Sequence, residues 1–216
     1  MQIISMSKFV STTFGLISGK HGTAVAVVQP DGTNVLRVYN PPVDKKTPKQ
    51  LAQRAKFGLV NGALANFREA IRIGYKDRYG FRKASSFMLK NGVTGQYPDL
   101  QLDYTKLPIA AGPLPGAPDV TAVADELSTG IKLTWNTIIS VLGVAASETD
   151  LINVVAYNEL TSMCLQELVV AARSLGTATV ELPDTWFGSN VHVWVYMSSA
   201  DGTYNSDSSY AGLIQL

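Results

Sequence analysis

Val191-His192-Val193-Trp194-Val195-Tyr196-Met197-Ser198 carries the clearest structural signal in the chain. Valine occupies alternate positions, with His192, Trp194 and Tyr196 between them, and a side-chain period of two belongs to a β-strand. His192 then lies on the same side as Trp194 and reads as a surface or half-buried partner of the indole. Segments of similar length recur on either side: Asp119–Ala124, Gly130–Asn136, Leu151–Tyr157, Gln166–Arg173, Ala178–Leu182 and Tyr210–Gln215. Asp201-Gly202 supplies the turn of the last hairpin. Short strands at this spacing, separated by turn residues, predict a β-sandwich.

Toward the N-terminus the pattern changes. Residues 108–118 hold Pro108, Pro113, Pro115 and Pro118 among small residues, the composition of an interdomain linker. Before them, Thr47-Pro48-x-Gln50 offers an N-cap hydroxyl, proline at the first helical position and a capping-box glutamine. Phe57, Val60, Leu64, Phe67 and Ile71 follow at spacings of 3, 4, 3 and 4, which predicts one helix of about seven turns closed by Gly74. Gly58 and Gly62 inside it each cost about 1 kcal/mol relative to alanine. Close packing against another backbone would explain them, and a kink is the alternative. A second helix is expected over Phe81–Lys90, with Phe81, Ala84, Phe87 and Met88 inward and Asn91-Gly92 at its end. Earlier still, Thr23–Val28 and Asn34–Tyr39 flank Pro30-Asp31-Gly32 as a β-hairpin, which Asn40-Pro41-Pro42 closes. The expected fold class is α+β: a basic β-hairpin and two-helix region at 1–107, a linker at 108–118, and an acidic immunoglobulin-like β-sandwich at 119–216.

Charge is sorted along this order. From Arg37 to Lys90 there are 13 lysines and arginines against 3 acids, and from Asp99 onward 13 acids against 3 bases, within a total net charge of +1. Such a division gives two regions of opposite field that attract one another or the opposite regions of neighbouring copies. Charged residues make up only 16% of the chain, against the usual ~25%, which fits either a surface covered by partners or a soluble surface rich in Ser, Thr and Asn.

The chain offers little chemistry. Cys164 is the only cysteine, so no internal disulfide exists, and its neighbours Met163 and Leu165 favour a buried small hydrophobe. No apolar run is long enough for a membrane span, and the first fifteen residues lack a secretory signal pattern. Met6 is an alternative start. Gly15-x-x-x-Gly19-Lys20-His21 is one residue short of a phosphate-binding loop, puts histidine where a hydroxyl should ligate magnesium, and runs into a strand. His21 and His192 are too far apart in sequence to form a metal-spaced cluster, and Asp201 with Asp207 is too sparse for a calcium loop. Asp125-Glu126 reads as a solvated turn. No catalytic residue, cofactor or metal is expected.

Two resemblances add to this reading. The region with Ile131-x-Leu133-x-Trp135, Val193-x-Val195-x-Met197, Ala200-Asp201-Gly202 and Ser206-x-Ser208 resembles a fibronectin type III or related immunoglobulin-like sandwich, which implies adhesion or assembly by analogy. The whole chain is similar to an uncharacterised protein family of Bacteroidetes. That similarity rests on Gly15-x-x-Ser18-Gly19-Lys20-x-Gly22, on Arg37, and on Thr47-Pro48-x-Gln50-x-x-Gln53-Arg54-x-x-Phe57. It implies no catalytic residue. Proline-led helix openings of this kind also resemble those of bacteriophage structural proteins.

The leading expectation is therefore a non-enzymatic structural subunit that self-associates or docks into a filament, surface appendage or virion. Lys49, Arg54, Lys56, Arg68, Arg72, Arg82 and Lys83 are its candidate interface, and the apolar stretch Ile3–Val10 could add a strand to a neighbour's sheet. The alternative is a monomeric binding module in which Trp186, Phe187, Tyr204 and Tyr210 on sandwich loops hold a protein or glycan. A small hydrolase would need a pocket around His192. Nucleic acid is disfavoured: Tyr75, Tyr79 and Phe81 could stack on bases among the cations, but the acidic half repels phosphates. The compartment is not assigned, an extracellular assembly or virion being favoured.

Overall fold

The structure, a computed structural model, describes residues 6–9, 15–41, 43–125, 130–138 and 146–216. The chain divides into two compact units, Met1–Thr47 and Pro48–Leu216. In the first, β1 (Met6–Phe9), β2 (Gly19–His21), β3 (Ala24–Val28) and β4 (Asn34–Val38) form an antiparallel sheet in the order β1-β4-β3-β2. The expected hairpin is β3–β4, with Val28 opposite Asn34. Of the apolar stretch Ile3–Val10, only Met6–Phe9 is described, and it pairs with β4 of its own chain. Glu126, half of the acidic pair noted above, lies outside the described residues.

The second unit opens with α1 (Pro48–Ala65), α2 (Arg68–Tyr75) and α3 (Gly80–Asn91). The single helix expected to run to Gly74 is broken at Asn66–Phe67. There the amides of Asn66 and Phe67 bond three residues back, to Ala63 and Leu64, and tighten the last turn. The break seats the Phe67 ring 5.4 Å from Trp194, edge-on, and 4.6 Å from Tyr157. Val60, Leu64, Phe67 and Ile71 are buried as expected, but Phe57 and Phe87 stay about half exposed. Gly58 and Gly62 face open space, so neither marks a close backbone contact. Gly74 does: a Cβ there would lie 2.4 Å from the Ile109 carbonyl oxygen, so it admits the 107–111 segment.

A small hairpin, β5 (Val93–Gln96) and β6 (Asp99–Leu102), turns at a cis Tyr97-Pro98 bond and precedes the sandwich strands. These are β7 (Thr121–Ala124), β8 (Gly130–Thr134), β9 (Leu151–Asn158), β10 (Met163–Ala172), β11 (Thr177–Glu181), β12 (Asn190–Ser198) and β13 (Ser209–Gln215). They match the expected segments to within a few residues at each end. One antiparallel sheet runs β11-β8-β7 and the other β10-β9-β12-β13, the interleaved order of an immunoglobulin-like sandwich. Between the sheets Ile131, Leu133 and Trp135 meet Val154, Val191, Val193 and Val195. Each such side chain contributes ~1.5–3 kcal/mol by leaving water.

The four-stranded sheet is covered on both sides. Val191, Val193 and Val195 face the other sheet, whereas Trp194 and Tyr196 face a second core built with Val60, Leu64, Phe67 and Ile71 of the helices. The unit therefore has three layers: helices, four-stranded sheet, three-stranded sheet. The helices share a core with the sandwich, so the separation expected at 108–118 is not where the chain divides. That proline-rich stretch carries Ile109 and Ala110 into the helical core and Leu114 and Ala117 into the sandwich core. Arg173 ties it down: its Nη1 donates to the Gly116 carbonyl at 3.0 Å and its Nη2 to the Pro115 carbonyl at 2.6 Å. The Nε donates to Asp150 Oδ2 at 3.2 Å, with both side chains buried.

Candidate functional site

The helical layer turns its cations outward. Lys49 and Arg54 on α1, Arg68 and Arg72 on α2, and Arg82 and Lys83 on α3 are exposed, and Lys56 is half-buried. Their local partners differ. Arg72 forms a forked pair with Glu69, Nε to Oε2 at 3.0 Å, which holds the Glu69 carboxyl below its ordinary pKa and the guanidinium above its own. Arg68 lies 5.2 Å over the Phe81 ring, and Arg82 lies 4.8 Å over Tyr79, which Arg78 also covers at 4.5 Å. Lys83 reaches Asp77 at 2.7 Å, and that contact, with the Tyr79 amide, lowers the Asp77 pKa. These are exposed pairs of the kind worth ~0–1 kcal/mol, so they orient the layer more than they stabilise it.

Every second side chain of β12 points under this layer. His192 is 8% exposed and stacks on Trp194, rings 5.8 Å apart. Its Nδ1 lies 2.8 Å from the Tyr210 hydroxyl and its Nε2 3.4 Å from Glu159 Oε1, while Tyr104 leans on the ring at 4.8 Å. Burial lowers the His192 pKa, a shift Glu159 opposes in part. The hydroxyls of Tyr104 and Tyr210 are raised, above all by burial. Burial thus makes both phenols less acidic than normal, and the string from Tyr210 through His192 to Glu159 holds the imidazole in place. The sequence set His192 beside Trp194 but at or near the surface, whereas it is buried, and it gave no sign of Tyr104 or Glu159, which come from other elements.

The four candidate loop aromatics do not converge. Trp186 is 1% exposed and belongs to the core between the sheets, because the turn at Asp184–Trp186 folds its indole inward. Phe187 is 78% exposed just before β12, whereas Tyr204 sits in the turn beyond its other end. Tyr210 is on β13 and packs on Trp194.

Other sequence features resolve into structure. Gly19, Lys20 and His21 form β2, and the Lys20 ammonium sits 4.1 Å over the Tyr39 ring. The Cys164 thiol is half-buried, and burial pushes its pKa up to about 12, as for an inert thiol. Among the described residues no three His, Cys, Asp or Glu side chains are placed to hold a metal, and no helix is long and apolar enough to cross a membrane.

The profile of a family of unknown function, DUF6266, matches residues 16–212. The chain belongs to the DUF6266 family. That span takes in β2–β4 of the first sheet and nearly all of the three-layer unit, so parts of both compact units fall within one DUF6266 region. No curated protein matches the chain in sequence.

Proposed function

We propose that the chain is a non-enzymatic structural subunit that docks into a larger assembly, with further copies of itself as the first partner. One observation carries this reading: a single three-layer unit exposes cations on its helices and acids on its sandwich. Lys49, Arg68, Arg72 and Arg82 stand on the former, and Glu148, Glu159, Glu167, Glu181 and Asp184 on the latter. Opposite fields on different parts of one surface favour head-to-tail contact, which propagates when the rotation between copies does not close a ring. The resemblance of the Thr47-Pro48-x-Gln50 opening to helix openings of phage structural proteins agrees with a filament or virion setting.

Negative-stain microscopy with solution mass, at low and moderate salt, tests it. Filaments, rings or tubes that loosen with salt are the expected result, because exposed charges are screened within about 10 Å at 0.1 M. A monomer at every concentration overturns it. That outcome supports a binding module, for which the exposed Leu160 and Phe187, at one end of the four-stranded sheet, are the contact surface.

A further inference from the structure

We propose that the outward face of α3 receives the bulge of strand β10 from a second copy of the chain. This rests on the assembly reading above and names the two surfaces involved. The receiving side is one continuous stripe. Arg82, Lys83, Ser86, Phe87, Lys90 and Asn91 line a shallow groove of about 660 Å3. Their spacing places them on one helical face, opposite the buried Ala84 and Met88. Phe87 is 45% exposed in this groove, an apolar floor among three cations. Lys83 is paired with Asp77, but Arg82 and Lys90 have no carboxylate partner among the described residues.

The inserting side is its chemical complement. β10 loses register with β9 between Glu167 and Ala171, and Val169 inside the bulge has φ 59°. Valine is poorly suited to that conformation, because its branched Cβ crowds the backbone. Such a residue persists only where the surroundings impose it. Here they do: buried Asn153 accepts the Val169 N–H through Oδ1 at 3.0 Å. The result is an apolar knob, Leu168 and Val169, 45% and 58% exposed. Glu167 and Glu181 line one shallow hollow together with Leu168 and Val169, and have no cation partner among the described residues.

An apolar knob flanked by two acids matches an apolar floor flanked by cations, and both occur on every copy. The two surfaces lie on different layers, so each contact leaves one groove and one knob free.

Charge exchange in the full-length chain tests this, read by sedimentation velocity with far-UV circular dichroism as a fold control. Arg82→Glu with Lys90→Glu, and separately Glu167→Lys with Glu181→Lys, should each weaken association by about tenfold or more. The chain carrying all four substitutions should recover to within a few fold, because the signs are again complementary. Leu168→Asp gives an independent variant of the knob and should weaken association alike. If either charge-reversed chain associates as the parent does, or the four-substitution chain fails to recover, this interface is wrong while the assembly reading stands. A parent chain that is monomeric throughout overturns both.

Discussion

Asn153 and Val169 are joined across the β9–β10 pair by a hydrogen bond of 3.0 Å, from the valine amide to the buried carboxamide oxygen. The other end of the same carboxamide donates to Ser198 Oγ at 2.9 Å at the end of β12. One buried polar side chain therefore fixes the bulge and the strand that the sandwich is built on. Removing it with Asn153→Ala strands the Val169 amide and should cost ~1–3 kcal/mol. Urea unfolding measures this, and an unchanged midpoint would mean that the bulge holds itself.

Val169→Gly separates stability from association. Glycine adopts positive φ without the Cβ clash, a relief of ~1–2 kcal/mol offset by ~0.5–1 kcal/mol of extra chain entropy. Stability should rise slightly or hold while association weakens, because the exposed branched side chain is gone. A clear loss of stability would show that Val169 is held by packing.

Arg173 and Asp150 form the buried pair that clamps the proline-rich stretch. Arg173→Ala leaves a buried carboxylate without its cation and two carbonyls without their donor, a loss of ~3–5 kcal/mol. Arg173→Lys should fall between, since one ammonium cannot reproduce the planar fork. Trp135 reports the change directly, because its indole N–H donates to the Arg173 carbonyl at 2.9 Å. Its fluorescence should shift before global unfolding in the alanine variant, and coincident transitions would contradict a local clamp.

His192 makes stability depend on pH in a defined direction. Burial holds its folded-state pKa below the ordinary value, so the unfolded chain binds the proton more readily. Stability is then insensitive to this group above its unfolded pKa of ~6.5 and falls as pH drops from there through the lowered folded value. His192→Gln should flatten that part of the curve, with Glu159, Tyr104 and Tyr210 left in place. Equal slopes for parent and variant would contradict the assignment.

Gly74→Ala should destabilise the chain by ~1–3 kcal/mol, since the added methyl meets the Ile109 carbonyl and the Ala110 Cβ. Gly62→Ala, facing open solvent, should stabilise by up to ~1 kcal/mol. Thermal melts of the two variants should move in opposite directions. Movement in the same direction would contradict the packing described for Gly74.

The sandwich strands were legible because each carries a local period of two, and Ile131-x-Leu133-x-Trp135 buries all three of its apolar residues. The helical layer was legible as elements but not as a layer. The alternation set Trp194 and Tyr196 on the side opposite the valines, but their amphipathic rings gave no sign that helices cover them. The proline-rich stretch misled for a related reason. Proline and alanine mark a linker by composition, yet Ile109, Leu114 and the distant Arg173 make this one part of both cores. The cations singled out on the helices stand exposed, apart from the half-buried Lys56, whereas the β10 bulge was not foreseen. Nothing in Glu167-Leu168-Val169 signals a left-handed valine, because the residue imposing it, Asn153, lies on another strand.

Mixing two blocked chains probes the proposed head-to-tail contact between the α3 groove and the β10 bulge. One chain carries Arg82→Glu and Lys90→Glu and keeps its bulge; the other carries Glu167→Lys and Leu168→Asp and keeps its groove. Each alone should stay monomeric, and their mixture should form a 1:1 pair that grows no further, as measured by sedimentation equilibrium. A mixture that remains two monomers, or single variants that still polymerise, would rule out this contact.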